Sequence, residues 1–406
     1  MAASSDAAVW TRYVDVGGVR SELWGLDAST SGPPALQVVV VPGNPGTAAF
    51  FRPFMSRLHA ALGGRARVLA LSQAGHDGGH HHEGRVWSLA EQVAHKVAFL
   101  RGHVLGPGRP PAVLVGHSIG AYMALKAVAH VEGLAGAEPH HTEEQASPPT
   151  DPAAEREPIL SAAGDKGIGP GASVSGVAAV EAFAVGGPGE AAPAPGSSGG
   201  AARVVKVVAV FPFLEANTGG NWRQRALSAL AEWHQELGWA VGALASLLPS
   251  SLLAGCIRLT GAADAETAAL VASRLGRTTV HNALYLASTE FRDLTQPWDW
   301  AVTAALGPRL HVMGCEADTW LSREQWEDMC QRLPGLQATW HPDLRHDFCT
   351  CPRQSAAAAD HIADLLRPCM EPAAERAAHA APGLAPAGCA TTGGEGGGGT
   401  VLRSRI

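Results

Sequence analysis

The motif G-H-S-I-G at 116–120 stands where a run of buried-strand residues meets a helix-forming run. A strand that reverses sharply into a helix holds its central residue in a strained conformation, and small residues on either side allow the neighbouring segments to approach. Gly116 and Gly120 occupy those two positions. The motif therefore predicts a nucleophile elbow that holds the hydroxyl of Ser118 above the sheet edge. An ordinary serine in a tight turn is the alternative.

A serine nucleophile needs a base, and the base needs an acid that orients it, in the chain order serine, acid, histidine. Asp318 follows a short apolar strand, and His346 follows the next strand signal. The segment between them has room for one helix and one strand. Both residues would then lie on loops at the carboxyl ends of strands, where ligands meet open α/β sheets. Asp318 and His346 are the predicted acid and base.

Other side chains compete for these two roles. The competing carboxylates lie within two residues of the predicted acid or close to the predicted base: Glu316, Asp343 and Asp347. Other histidines are predicted to lie on a strand, on the last helix and in the turn beside the nucleophile: His341, His361 and His117. For the base, position along the chain favours His346. For the acid, Asp318 is favoured because it lies further into the loop after its strand than Glu316 does.

An acyl-transfer site also needs N–H donors for the oxyanion. The first N–H groups of the helix after Ser118 point at that oxyanion, so Ile119 is one predicted donor. The motif P-G-N-P-G at 42–46 follows a predicted buried strand. Pro45 has no N–H, which leaves Asn44 as the second predicted donor. A plain Pro-Gly turn without catalytic work is the alternative for this loop.

Several stretches together resemble a known family, the lipid droplet-associated hydrolases of the α/β-hydrolase superfamily. The matching stretches are VVVVPGNPGTAAFFRPF, LSQAGH, LAEQVAHKVAFLRGHV, VLVGHSIGAYMALK, VVAVFPFL, the Asp318-Thr319-Trp320 loop and RHDF. The resemblance implies an α/β-hydrolase fold with Ser118, Asp318 and His346 as the triad. It also implies an enzyme of neutral-lipid storage at the lipid droplet and the cytosolic face of the endoplasmic reticulum, with sterol esters and acylglycerols both open as substrates.

The predicted reaction is ester hydrolysis through an acyl-enzyme, in which His346 removes the proton of Ser118 and Asp318 orients the imidazole. This mechanism needs no cofactor and no metal. Two alternatives stay open. One is another serine-triad hydrolase, such as a thioesterase or a peptidase. The other is a droplet-surface protein that binds lipid or partners and has a weak or dormant triad.

Composition agrees with this class. A chain of 406 residues with 46% hydrophobic and 17% charged content can bury a large core. Its alternating strand and helix signals favour one α/β domain, with a mostly parallel central sheet and helices on both faces. A net charge of −7 provides no basic patch for nucleic acid. Residues 1–9 lack the pattern of a secretory signal, and seven cysteines suit a reducing compartment.

The hydrolase domain is predicted to comprise residues 10–131 and 203–368. A hairpin around Gly17-Gly18 would precede six parallel strands, at 38–41, 68–72, 113–116, 204–211, 310–314 and 337–341. Residues 132–202, rich in Ala, Gly, Pro and Glu, are predicted to be a disordered insert, because such composition cannot bury enough apolar area to offset chain entropy. The glycine-rich tail 371–406 is predicted to be disordered as well.

Residues 212–300 are too many for a simple crossover and are predicted to form an apolar cap over the site. Within them, residues 237–257 carry no charge, and a helix of that length could cross a bilayer. Pro249 interrupts this stretch and favours two short helices that dip into one leaflet or a droplet monolayer. The predicted contact residues are Leu237, Trp239, Leu248 and Leu252. The alternative is a buried segment that lines an acyl pocket; hydropathy alone does not separate the two.

The segment H-D-G-G-H-H-H-E at 76–83 has the composition of a metal cluster. Its glycines and irregular spacing do not place ligands on one face, so a solvated loop is predicted and no metal site. His95-Lys96, on a predicted amphipathic helix, is interpreted as structural. Phe50, Phe51 and Phe54 are interpreted as core or pocket wall.

Overall fold

The computed structural model describes residues 8–30, 32–77, 82, 84–134, 203–259, 264–316, 318–371 and 390–391. The predicted disordered insert lies outside these residues from 135 to 202. Most of the predicted disordered tail also lies outside them.

The described strands form a single mostly parallel sheet. They are β1 (Trp10–Val16), β2 (Val19–Leu26), β3 (Leu36–Val41), β4 (Ala66–Leu71), β5 (Ala112–His117), β6 (Val204–Val210), β7 (Leu310–Cys315), β8 (Gln337–His341) and β9 (Ala390–Thr391). Their order across the sheet is β1-β2-β4-β3-β5-β6-β7-β8-β9. β2 pairs antiparallel with β1 and β4, and the other described pairs are parallel. The predicted hairpin and six parallel strands are all present.

The described helices are α1 (Arg52–Ala61), α2 (Leu89–Phe99), α3 (Ile119–Glu132), α4 (Trp222–Ala231), α5 (His234–Leu247), α6 (Ser250–Leu259), α7 (Ala265–Arg274), α8 (Arg277–Asp293), α9 (Trp300–Leu306), α10 (Arg323–Arg332) and α11 (Pro352–Leu366). Local sequence signals set several of their ends. Ser88 and Ser322 begin α2 and α10 with capping boxes, in which the serine hydroxyl and a side chain three residues later satisfy each other's backbone N–H groups. Gly133, with φ 63°, ends α3 in a left-handed conformation.

Helices cover both faces of the sheet, because successive strand side chains point to opposite faces. Val39 and Val41 of β3 belong to the core beneath α2, α3, α9 and α10. Val38 and Val40 belong to the opposite core, beneath α1 and α11. None of the four is more than 2% exposed. The unbroken apolar run of this strand therefore reflects burial on both faces.

The segment between β6 and β7 contains the predicted cap, built from α4 to α8. In it α5 packs on α8, and α6 packs on α7. No single helix among the described residues is long and apolar enough to span a bilayer. Residues 234–245 of α5 and all of α6 together have that length and composition, but a bend of 116° separates the two helices. Pro249 lies in the break between these two helices, where the sequence predicted the interruption.

The junction between β5 and α3 depends on a close backbone approach. A methyl group added at Gly120 would collide with the carbonyl oxygens of Val41 and Pro42, at the end of β3. One added at Gly116 would collide with the backbone of α3 itself. Two glycines thus allow α3 to start directly against both strands.

Replacing Gly120 with alanine is expected to lower the free energy of unfolding by about 3 kcal/mol, because the obstructing atoms belong to the backbone and no rotamer change can move them. The matched control is Gly255→Ala in α6, where no atom lies within 4 Å of the added methyl group. There the helix preference of alanine should raise stability by up to about 1 kcal/mol. Urea denaturation measures both changes. An unaltered stability of Gly120→Ala would contradict the close packing.

Candidate active site

Ser118 lies at the junction between β5 and α3 in a conformation that non-glycine residues rarely adopt. Its φ is 55° and its ψ is −127°. Its N–H donates to the carbonyl of Val210 at 3.0 Å, and its carbonyl accepts from the N–H of Phe213 at 3.2 Å. These two bonds to β6 and the segment after it hold the strained residue in place. The local geometry is that of the predicted elbow.

Three predicted residues from distant parts of the chain meet at this point. His346 Nε2 lies 3.0 Å from Ser118 Oγ, and His346 Nδ1 lies 3.0 Å from Asp318 Oδ2. The N–H of Trp320 donates to the other carboxylate oxygen of Asp318 at 2.7 Å. The Asp318 side chain is completely buried, whereas the imidazole is 19% exposed. The arrangement has the geometry of nucleophile, base and orienting acid; the catalytic roles remain predictions.

The competing residues have other partners. Glu316 accepts a hydrogen bond from the indole N–H of Trp340 at 3.0 Å, and Asp347 forms an ion pair with Arg345, two residues earlier. His341 and His361 both lie within hydrogen-bonding distance of the Thr339 hydroxyl. None of these bonds reaches the Ser118 hydroxyl.

His117 supports the loop that carries the base, a role that sequence reasoning did not assign. Its Nε2–H donates to the backbone carbonyl of His346 at 2.8 Å, and its ring packs between Phe51 and Phe348. Burial lowers the pKa of His117 to about 3, and the neighbouring His346 contributes in the same direction. His117 therefore stays neutral and anchors the loop without adding a second positive charge. Its place beside the serine was the one available sequence signal.

The loop at 42–46 lies beside the nucleophile, as predicted. Gly43 approaches so closely that a methyl group there would lie 3.0 Å from Ser118 Cβ. The side chain of Asn44 donates through Nδ2 to the carbonyl of Ala283 at 2.9 Å and to Glu290 Oε1 at 3.2 Å. Both acceptors belong to α8, so this side chain ties the loop to the cap. Of the predicted oxyanion donors, Ile119 directly follows the serine and Asn44 lines the same cavity as the serine. Their role remains a prediction.

The same loop is also held by His76, a residue of the segment for which the sequence predicted a solvated loop. His76 Nδ1 accepts from the N–H of Gly46 at 2.9 Å, and its carbonyl accepts from Thr47 Oγ1 at 2.8 Å. That prediction was wrong for His76, Asp77 and His82, which are all buried. Polar backbone groups of the loop need partners in the interior, and His76 supplies them. Burial lowers its pKa to about 3.

Across the described part of the chain, no three His, Cys, Asp or Glu side chains are grouped in a way that could hold a metal ion. His80, His81 and Glu83 lie outside the described residues.

A cavity of about 460 Å³ opens at Ser118 and His346. Its walls are mostly apolar, and their principal residues come from the strand ends and the cap: Phe50, Phe51, Phe213, Leu227, Leu230, Val271, Leu284, Ala287, Phe291 and Trp320. Asn44 and Glu290 add polar groups between the nucleophile and the cap. The cap walls come from α4, α7 and α8, and among the described residues no lining side chain belongs to α5 or α6.

The apolar side chains of α5 and α6 instead reach the surface. Leu247 is 79% exposed, and Trp239 and Leu252 are 59% and 57% exposed. Leu237 and Leu248, also predicted as contact residues, are half-buried. The alternative in which this segment lines the acyl pocket is therefore not supported by the cavity.

A mostly parallel sheet, with a serine at the turn after β5, a carboxylate after β7 and a histidine after β8, defines an α/β-hydrolase. Solved structures show the same fold. A haloalkane dehalogenase variant, DbeA-M1 from Bradyrhizobium elkanii, is similar with a TM-score of 0.52 and 13% identity, over 92% of this chain and 100% of that one. The DBJA delta mutant gives a TM-score of 0.51 at 13% identity, over 89% and 99%. The predicted fold class is confirmed.

The sequence profile of one family within this class, described as lipid-droplet associated hydrolase, matches residues 34–138 and 190–349. The chain belongs to the lipid-droplet associated hydrolase family. Relatives named lipid droplet-associated hydrolase include those of Homo sapiens, 36% identical over 25% of this chain and 35% of that protein, and Dictyostelium discoideum, 29% identical over 28% and 38%. The chain thus aligns with about a third of the length of the curated relatives it matches.

Asp318→Asn is expected to slow the reaction of Ser118 with a fluorophosphonate by about 10⁴-fold, because an amide favours the wrong tautomer of His346. The matched control is Glu316→Gln. That side chain is bonded to an indole, and the change should alter the rate by no more than about twofold. The second-order labelling rate measures both. If Glu316→Gln lowers the labelling rate strongly and Asp318→Asn lowers it only slightly, Glu316 and not Asp318 is the acid.

Proposed function

We propose that this protein is a serine hydrolase that cleaves carboxylic esters of neutral lipids, sterol esters or acylglycerols, through an acyl-enzyme. The observation that carries the proposal is the hydrogen-bonded series Ser118, His346 and Asp318 at the mouth of an apolar cavity of about 460 Å³. That volume lies within the usual range for small-molecule sites. Family membership supports a hydrolase acting on lipid.

In the acylation step, His346 Nε2 takes the proton of Ser118 as the hydroxyl oxygen attacks the ester carbonyl. The distance of 3.0 Å between the two atoms suits this transfer. The buried carboxylate of Asp318 stabilises the imidazolium that forms and keeps Nδ1 protonated. The N–H groups of Ile119 and Asn44 bind the oxyanion, and His346 then gives its proton to the departing alcohol.

In the deacylation step, His346 removes a proton from water as the water attacks the acyl-enzyme carbonyl. The tetrahedral intermediate collapses, the fatty acid leaves and Ser118 regains its proton. His117, which burial holds neutral, places no competing positive charge beside the imidazole of His346, although the two ring centroids are only 5.0 Å apart. The residues present complete this cycle without a cofactor.

The surface of α4 to α6 supports action at a lipid surface. Its exposed large apolar residues are Trp222, Leu227, Leu230, Trp233, Trp239, Leu244, Leu247, Leu252 and Leu259. An apolar patch of this kind, with tryptophans among its residues, is typical of interfacial contact. Leu227 and Leu230 also line the cavity, so the patch adjoins the entrance. We propose that this face contacts the lipid droplet monolayer or the cytosolic face of the endoplasmic reticulum.

A fluorophosphonate is expected to label Ser118 in the purified protein, and Ser118→Ala should abolish the label. The substitution should also lower p-nitrophenyl ester hydrolysis by at least about 10⁴-fold. The exposed Ser273 of α7 provides the control, Ser273→Ala, since its hydroxyl is hydrogen-bonded to the backbone carbonyl of Leu270 and not to an imidazole. Undiminished label in Ser118→Ala would contradict the nucleophile assignment. Lipid binding without label or hydrolysis would favour the non-enzymatic alternative.

The double variant Leu247→Asp, Leu252→Asp is expected to lower the partition onto phospholipid-coated triolein droplets by at least about 100-fold, because each leucine contributes about 1.5–3 kcal/mol when it leaves water. Ala304→Asp is the control, since it adds a charge at an exposed site of α9, outside this face. Droplet flotation measures the partition, and fluorophosphonate labelling checks that the site is intact. Equal flotation of all three proteins would contradict the proposed contact face.

A further inference from the structure

Glu290 presents a carboxyl group inside the cavity that holds the nucleophile. It lies near the end of α8 and is 4% exposed. It lines the cavity together with Ser118, His346 and Asn44. The cycle of acylation and deacylation gives this side chain no task. A carboxyl group in a mostly apolar cavity is costly unless its polar atoms have partners.

One oxygen of this carboxyl group has a partner, and the other does not. Oε1 accepts the hydrogen bond from Asn44 Nδ2 at 3.2 Å. Among the described residues, no hydrogen bond reaches Oε2, and Oε2 is not one of the fully buried side-chain atoms that lack a partner. Since the residue lines the cavity, Oε2 is available to a molecule that enters it.

The carboxyl group is protonated at neutral pH. Burial raises the pKa of Glu290 to about 8, and the hydrogen bond from Asn44 opposes this only in part. The titratable groups that face the same cavity are His117 on β5, His346 and Asp347 after β8, and Cys349 in the turn that follows. None of them is hydrogen-bonded to Glu290. A neutral acid with Oε1 occupied as acceptor has one O–H left to donate.

We propose that Glu290 recognises a second oxygen atom of the substrate, next to the ester being cleaved, and so favours acylglycerols over sterol esters. The inference rests on the proposed function and names the substrate class of that site. Glu290 is bonded to the side chain of Asn44, a predicted oxyanion donor, and it lines the same cavity as Ser118, so a substrate held at Ser118 shares the cavity with this carboxyl group. In a glycerol ester the neighbouring oxygen is two carbons away from the scissile ester oxygen. A sterol presents only C–H groups at that distance and leaves the donor unpaired.

The test compares a diacylglycerol and a sterol ester with the same acyl chain, in the same detergent micelles. In the unaltered protein kcat/KM should be higher for the diacylglycerol. Glu290→Leu should lower the ratio of the two kcat/KM values by at least about tenfold, because the buried donor is gone. Glu290→Gln, whose amide can still accept from Asn44 and donate to substrate, should keep the ratio within about threefold. Glu324→Leu, at an exposed carboxylate of α10, is the control and should leave both rates unchanged.

A pH profile adds a readout that loss of packing would not produce. The preference of the unaltered protein for the diacylglycerol should fall as the pH rises through about 8, because the carboxylate that then forms has no proton to donate. In Glu290→Gln the preference should be constant over the same range, because the amide does not titrate.

Three outcomes would overturn the inference. If Glu290→Leu lowers both rates equally, Glu290 serves only to hold Asn44. If the ratio stays unchanged in Glu290→Leu, Glu290 does not select the substrate. In both cases the proposed ester hydrolase stands, because the unaltered protein still cleaves its substrates. If the unaltered protein cleaves neither ester, the proposed function fails and this inference fails with it.

Discussion

The positive φ of Ser118 is the constraint on which the rest of the site depends. This conformation is strained for a serine. It persists only where the surrounding structure holds the strand before the serine and the helix after it firmly in place. β5 is buried in the centre of the sheet between β3 and β6, and α3 starts directly against the end of β3. Gly120 permits that approach, because any side chain would collide with backbone carbonyls. The sheet therefore fixes where the hydroxyl points before the cap or the substrate is involved.

Around this hydroxyl the structure keeps one imidazole available and holds three buried ionisable groups neutral. Burial lowers the pKa values of His76 and His117 to about 3 and raises that of Glu290 to about 8. The neutral groups work as hydrogen-bond partners for loops. His117 donates to the backbone carbonyl of His346, the predicted base. His76 accepts a hydrogen bond from the loop at 42–46, and Glu290 accepts another from Asn44 of that loop. The buried side chain of Asp318 is hydrogen-bonded to the imidazole of His346.

In the cap, hydropathy alone does not decide which apolar segments line the cavity and which face outward. Residues 237–257 read equally well as a pocket wall or as a surface for lipid, because both environments select the same side chains. Pro249 predicted the break, and the structure has two helices on either side of it. Packing decides which helices face the cavity. The helix α5 packs on α8 and α6 packs on α7, and it is α7 and α8 that supply cavity residues. The outer helices keep side chains such as Leu247 and Trp239 exposed.

The sequence by itself determined the features that rest on local chemistry. Ser118 between its glycines predicted the elbow, apolar runs such as 38–41 predicted buried parallel strands, and the order of Asp318 and His346 along the chain predicted which acid and base would meet it. The tertiary structure alone decided the supporting contacts. Asn44 and Glu290 are 246 positions apart, and His117 and His346 are 229 apart. The neighbours of His76 in the sequence predicted a solvated loop, yet His76 is buried against the loop at 42–46. Such contacts arise from how the sheet edge, the loops and the cap pack together, and no local pattern of residues encodes that packing.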